Sequence, residues 1–197
     1  MARQDDQTAA IRRGDPETLE RIVRSALPGL LRTALAAGLS PDRAEDIVQS
    51  SLLIFVRRAA DYDGRASAST WIHGILLRKV WEDRRAQTRD ATHDDIDDVV
   101  ESRFDVNGSW GRPPDGPIER LARGELNKQL RSCLETLPDR HRVAFTLREV
   151  EGFKTGDVCK ILEISANNLG VILFRARNRL RECLEAKGVR GASDAAL

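Results

Sequence analysis

Residues 155–183 read TGDVCKILEISANNLGVILFRARNRLREC, and this stretch decides the fold. Val158, Ile161 and Leu162 fall on one face of a short helix that Thr155 can cap. The triplet Glu163-Ile164-Ser165 then interrupts the period: Ile164 can plug the angle between two helices, and Ser165 can cap the second. Leu169, Leu173 and Ala176 continue the inward stripe at helical spacing. Asn167, Asn168 and Val171 are left near the outward, N-terminal end of the second helix, where a helix-turn-helix meets base edges in the major groove.

Asparagine presents a donor and an acceptor in the geometry that pairs with adenine N6 and N7, a contact worth about 1–3 kcal/mol of discrimination. The same helix continues through Arg175, Arg177, Arg179 and Arg181, and with Lys187 and Arg190 the stretch from Ser165 carries six cations against Glu182 and Glu185. Such a strip can neutralise backbone phosphates. An isolated arginine-rich helix is more simply a solvated amphipathic face; the helix and three-residue turn that precede this one favour DNA.

Outward from this point the helical period dominates. The chain has 197 residues, 41% hydrophobic and 32% charged with 5% aromatic, and strand-like alternation is hard to find, so the fold class expected is all-α. A first helix is expected over Asp5 to Arg13; Asp15-Pro16 caps and starts a second, which stops at Gly38. Ser40-Pro41 starts a third that runs to about Ala60, the loop DYDGRASAS follows, and a fourth begins around Thr70. From about Thr88 to Ile118 the character changes to clustered acids, then Gly and Pro, which reads as a tether. Helical periodicity returns at Glu119 and pauses at Leu137-Pro138. The architecture expected is two small helical domains joined by a flexible acidic linker.

The Pro41 helix is apolar on more than one side. Ala44, Ile47, Val48, Ser51 and Phe55 make one stripe, while Leu53 and Val56 extend a second that begins at Asp46 and Gln49. A spare apolar face rimmed by Asp, Gln and Arg suits a protein partner, and burial on both sides within a bundle is the competing account. The following helix interleaves Trp71 and Trp81 with His73, Arg78, Lys79, Arg84 and Arg85. Exposed bases of opened DNA stack on aromatic walls while cations hold the backbone, although Trp71 and Trp81 at helical spacing also fit a core.

Cys133, Cys159 and Cys183 are an odd number without Cys-x-x-Cys spacing, read here as reduced thiols in the core. Net charge is only +1, so any attraction to nucleic acid must come from local clustering. The opening MARQDDQTAAIRRGD is no signal peptide and no run of about 18 apolar residues occurs, so a cytoplasmic protein without direct membrane insertion is expected. His93, Asp94, Asp95, Asp97 and Asp98 could suggest a metal-dependent enzyme, but consecutive acids in a tether are a solvated charge run; no metal, no cofactor and no catalytic residue is expected.

Two long stretches resemble a known family, the extracytoplasmic-function (ECF) sigma factors of bacterial RNA polymerase. DRAEDIVQSSLLIFVRRAADYDGRASASTWIHGILLRKVWEDRR is similar to their region 2, with its Asp-x-x-Gln helix, loop and Thr-Trp start; LETLPDRHRVAFTLREVEGFKTGDVCKILEISANNLGVILFRARNRLRECL resembles their region 4. The likeness covers roughly residues 10–86 and 119–187, and implies a region 2 domain over residues 1–87, a linker over 88–118, a region 4 domain over 119–190 and a tail. It implies that Asp46, Gln49, Leu53 and Val56 grip the polymerase core, and that Asp63, Arg65, Ser67, Trp71, His73, Arg78 and Lys79 capture the −10 element. Thr155, Asn167, Asn168, Val171, Arg175, Arg177 and Arg179 would read the −35 element as duplex. The partners implied are RNA polymerase core, promoter DNA and an anti-sigma factor, soluble or membrane-anchored. Gly170 and Ile172 stand where many relatives carry a cation, as do Gly74 and Leu77, which puts the −35 sequence read in doubt. The competing reading is a helix-turn-helix regulator that binds duplex DNA independently of polymerase.

Overall fold

The computed structural model describes residues 2–88 and 128–188, and among them every regular element is helical. The first half contains α1 (Ala2–Arg12), α2 (Pro16–Ala36), α3 (Pro41–Arg57), a short 3-10 turn (Ala59–Asp61) and α4 (Ala68–Thr88). The second half contains α5 (residues 128–135), α6 (Asp139–Phe145) extended by a π-helical turn (Thr146–Val150), α7 (Thr155–Leu162) and α8 (Ala166–Ala186). The expected linker, including His93 and the acids beside it, lies outside the described residues apart from Thr88 at its edge, and so do the start of the Glu119 helix and the tail.

The helix boundaries follow from local chemistry. Asp15 accepts the Thr18 N–H at 2.9 Å and Pro16 opens α2, where a missing N–H costs nothing. Ser40 does the same for α3, accepting the Arg43 N–H at 3.4 Å, with Pro41 next. Helix α4 begins at Ala68, two residues before the expected start, because the Ser67 hydroxyl accepts the Thr70 N–H at 3.0 Å and so acts as the cap. Helix α3 stops at Arg57, short of Ala60, where the chain tightens into the 3-10 turn. Thr155 caps nothing: Lys154 occupies the N-cap position of α7, without a side-chain bond, and Thr155 is the first helical residue.

The inward stripe of α3 is as expected, with Ala44, Ile47, Val48, Ser51 and Phe55 all buried. They pack with Ile72, Leu76, Leu77 and Val80 of α4 and Leu30 of α2. Fully burying one such side chain is worth about 1.5–3 kcal/mol. The same apolar cluster continues without a break into Val143, Leu147, Val158, Ile161 and Leu162, so the two halves pack on each other. A second, smaller cluster holds Cys133, Leu137, Ala176 and Leu180 between α5 and α8. There Cys133 and Cys183 are joined as a disulfide with Cα atoms 5.8 Å apart, which corrects the reading of three reduced thiols; Cys159 alone is free. Fifty residues separate the pair along the chain, so no spacing motif announced it.

The C-terminal end of α2 is closed by side chains from two other helices. Gly38 turns the chain at φ +82°, and a Cβ there would run into the guanidinium groups of Arg84 and Arg142. Arg142 Nε donates to the Ala36 carbonyl at 2.5 Å and Arg84 donates to the Ala37 carbonyl. Both arginines also pair with Asp139. Cations placed on the unpaired carbonyls of a helix end satisfy them and oppose the negative end of the helix dipole.

Candidate nucleic-acid interface

Helix α3 presents its second stripe to solvent. Asp46 and Gln49 are exposed, and beyond them Leu53 is 56% and Val56 42% exposed. Large apolar side chains this open, in line with polar ones on a helix whose other face is buried, form a surface suited to a partner.

The loop after α3 and the start of α4 make a second surface. Arg65 pairs with Asp63 at 3.4 Å, while its N–H donates to Asp63 Oδ1 at 2.9 Å, fixing the turn. The Ser67 hydroxyl lies 2.7 Å from that of Thr70. Trp71 is half-buried, stacked on Tyr62 with centroids 5.3 Å apart and edge-on to Phe55 at 5.6 Å. The Tyr62 hydroxyl donates to the Ala66 carbonyl at 2.6 Å, which ties the aromatic pair to the loop, and burial pushes the phenol above its ordinary range. Beside the loop opens a cleft lined by Gln7, Ile22, Ser25, Tyr62, Ser67 and Ser69. Nothing in the periodicity pointed to Gln7 or Ser25, because the cleft exists only where α1 and α2 meet the loop.

His73 departs from the outward face expected of it. Only 2% exposed, it shares hydrogen between Nδ1 and the Ser69 carbonyl at 2.8 Å, turns Nε2 toward Gly29, and meets the Phe153 ring edge-on at 4.8 Å. Burial holds the imidazole below its ordinary range, and the Ser69 carbonyl and Glu151 oppose that shift. Arg78 is exposed but pairs with Glu163 at 3.2 Å, and Lys79 is half-buried.

The third surface is the helix-turn-helix. Glu163 takes the left-handed conformation at φ 55°, Ile164 N–H donates to the Cys159 carbonyl at 3.1 Å, and Ser165 caps α8 by accepting the Asn168 N–H at 3.2 Å. Ile164 packs against the core, as the sequence predicts of a plug. Leu169, Leu173 and Ala176 are buried, whereas Thr155, Asn167 and Asn168 are exposed and Val171 and Arg175 half-buried. Arg177 pairs with Glu149 at 2.5 Å and Arg179 is exposed. Ile172 belongs to the core, so it does not stand in for a DNA-facing cation; Gly170 faces open space.

Among the described residues no helix is long and apolar enough to cross a membrane. Residues 22–90 match the family model for Sigma-70 region 2, and residues 127–180 match that for Sigma-70, region 4. A probable RNA polymerase sigma factor of Haemophilus influenzae is 29% identical over 153 residues, spanning 74% of this chain and 79% of that protein. The ECF RNA polymerase sigma-E factor of the same organism is 26% identical over 178 residues, 89% of this chain and 92% of its own. Among solved structures, the sigma factor RpoE in complex with the anti-sigma factor NepR from Bartonella quintana superposes with a TM-score of 0.62 at 22% identity, covering 84% of this chain and 96% of that one. CnrH in complex with the cytosolic domain of CnrY gives 0.61 at 18% identity, covering 91% and 96%. With both regions matched in order along a wholly helical framework, the chain belongs to the sigma-70 family of RNA polymerase sigma factors, as a member of the ECF type.

Proposed function

We propose that this chain directs promoter-specific initiation by RNA polymerase and acts by binding alone. Residues 1–87 form the docking and strand-capturing module, residues 119–190 the duplex-reading module, and residues 88–118 the tether between them. Asp46, Gln49, Leu53 and Val56 receive the polymerase core. The observation that carries this reading is the open face of α3, since a helix already packed through Ile47, Val48 and Phe55 has no structural need for Leu53 and Val56 outside.

Asp63, Arg65, Ser67, Trp71, His73, Arg78 and Lys79 serve the −10 element, with the cleft by Ser67 and Ser69 taking an unstacked base. Thr155, Asn167, Asn168, Val171, Arg175, Arg177 and Arg179 serve the −35 element in the intact groove. Strand opening draws on captured bases and polymerase contacts rather than nucleotide hydrolysis. An anti-sigma factor covers the α3 face when the factor is silent, and it is either soluble or membrane-anchored. That one structural neighbour is a sigma factor held by an anti-sigma factor supports this last step.

Transcription in vitro with core polymerase on a promoter library tests the reading. Co-elution with core and promoter-specific transcripts are expected. Leu53→Asp is expected to weaken core binding by about tenfold or more, about 1.4 kcal/mol, with helicity unchanged. Specific duplex binding by the free chain, with no association with core, would instead make it a stand-alone helix-turn-helix regulator.

A further inference from the structure

The second half of the molecule lies across the helix assigned to the −10 element. Glu151, carried inward by the π-helical turn before it, accepts from Arg32 Nε at 2.5 Å and from Arg32 Nη2 at 3.0 Å on α2. Two residues on, the Phe153 ring covers His73. Glu163, in the turn of the helix-turn-helix, pairs with Arg78, and Lys160 Nζ donates to the Arg65 carbonyl at 3.3 Å. Ile161 and Leu162 of α7 are buried in the same cluster as Leu77 of α4. Three of the −10 candidates, Arg65, His73 and Arg78, are therefore engaged by the module that reads the −35 element, while the α3 face stays open.

Elements centred near −10 and −35 lie about 25 base pairs apart, roughly 85 Å along a duplex at 3.4 Å per pair. Modules in direct contact cannot occupy both. The 39 residues between Thr88 and Lys128 have a contour of up to about 130 Å, enough to let them part. We propose that this packing is an autoinhibitory latch: the free chain rests closed, with its duplex-reading module covering its strand-capturing helix, and remains able to dock on polymerase through α3 before it opens. This rests on the functional reading above. The latch is reversible because much of its ionic part is exposed; the Arg78 and Glu163 side chains retain 61% and 74% of their accessibility. Binding that requires the open form is weakened by the fraction of molecules that are closed.

Arg32→Glu and Glu151→Arg, each made in the full chain, test the proposal, with the double swap Arg32→Glu/Glu151→Arg as rescue. Both single variants should enlarge the radius of gyration in small-angle scattering and speed amide exchange along residues 72–81. Each should also bind a random single-stranded 20-mer oligodeoxynucleotide about fivefold more tightly, and the swap should return all three to wild type. The single variants change net charge in opposite senses, so a gain common to both cannot come from attraction to the oligonucleotide. Phe153→Ala, which uncovers His73 without altering charge, supplies an independent variant should a charge reversal fail to fold. Identical scattering, exchange and oligonucleotide binding across wild type, single variants and Phe153→Ala would overturn the latch. Failure of the wild-type chain to associate with core polymerase would overturn the sigma reading instead, and would leave the scattering and exchange results to decide closure separately.

Discussion

Arg175 shows what a single residue can and cannot reveal. Its place on α8, one turn beyond Val171, was readable from the helical period, and the structure leaves it half-buried at the edge of the outward face. If it meets a phosphate, Arg175→Ala should weaken promoter binding to a similar degree across sequences and lower the slope of log K against log salt by about one unit, measured as holoenzyme affinity between 50 and 200 mM salt. An unchanged slope would return Arg175 to the solvated face. His73 taught the opposite lesson. A histidine among arginines and tryptophans looks like part of a binding face, but its neighbours are Gly29 of α2 and Phe153 of the other half, and neither is close to it in sequence. Burial of one imidazole was decided by residues 44 and 80 positions away.

At the scale of elements, caps and stripes were the legible part. Asp15, Ser40 and Ser165 each cap the helix they were expected to cap, because an Asp or Ser before a periodic run satisfies N–H groups of the first turn wherever the helix ends up. Ser67 outcompeted Thr70 for the start of α4 and Thr155 lost its cap to Lys154, as happens where several hydroxyl residues crowd one helix start. The link between α5 and α8 was not legible, since it depends on two helices laid side by side by Leu137, Ala176 and Leu180. Closing a 50-residue loop, the Cys133–Cys183 bridge restricts the unfolded chain, and the chain-entropy account puts that at about 4 kcal/mol. Dithiothreitol, or Cys133→Ser, should therefore lower the melting temperature of the region 4 transition by well over the few degrees that a surface change causes; an unchanged transition would mean that the thiols are reduced in solution. Loss of promoter affinity should follow, because α8 carries the reading side chains.

For the whole molecule, the contact between halves is held by Arg142, whose guanidinium joins the end of α2 to α6. Arg142→Ala should leave the Ala36 carbonyl without that donor and lower stability by about 1–3 kcal/mol in denaturant unfolding. Arg24→Ala, which removes only an exposed pair with Glu20, should cost roughly 0.5 kcal/mol or less. Equal effects would show that the arginine bridge contributes nothing beyond a surface ion pair. All-helical class, the turn at Glu163-Ile164-Ser165, the buried stripe of α3 and the open Leu53–Val56 face were determined by the sequence itself, because helical period and capping act over a few residues and do not depend on distant packing. The covering of α4 by the second half, the withdrawal of His73, the cleft beside Ser67 and the pairing of Cys133 with Cys183 were decided only by tertiary structure. Each of these requires side chains from helices far apart in the chain to arrive at one point, and no local periodicity encodes where two independently stable surfaces will meet.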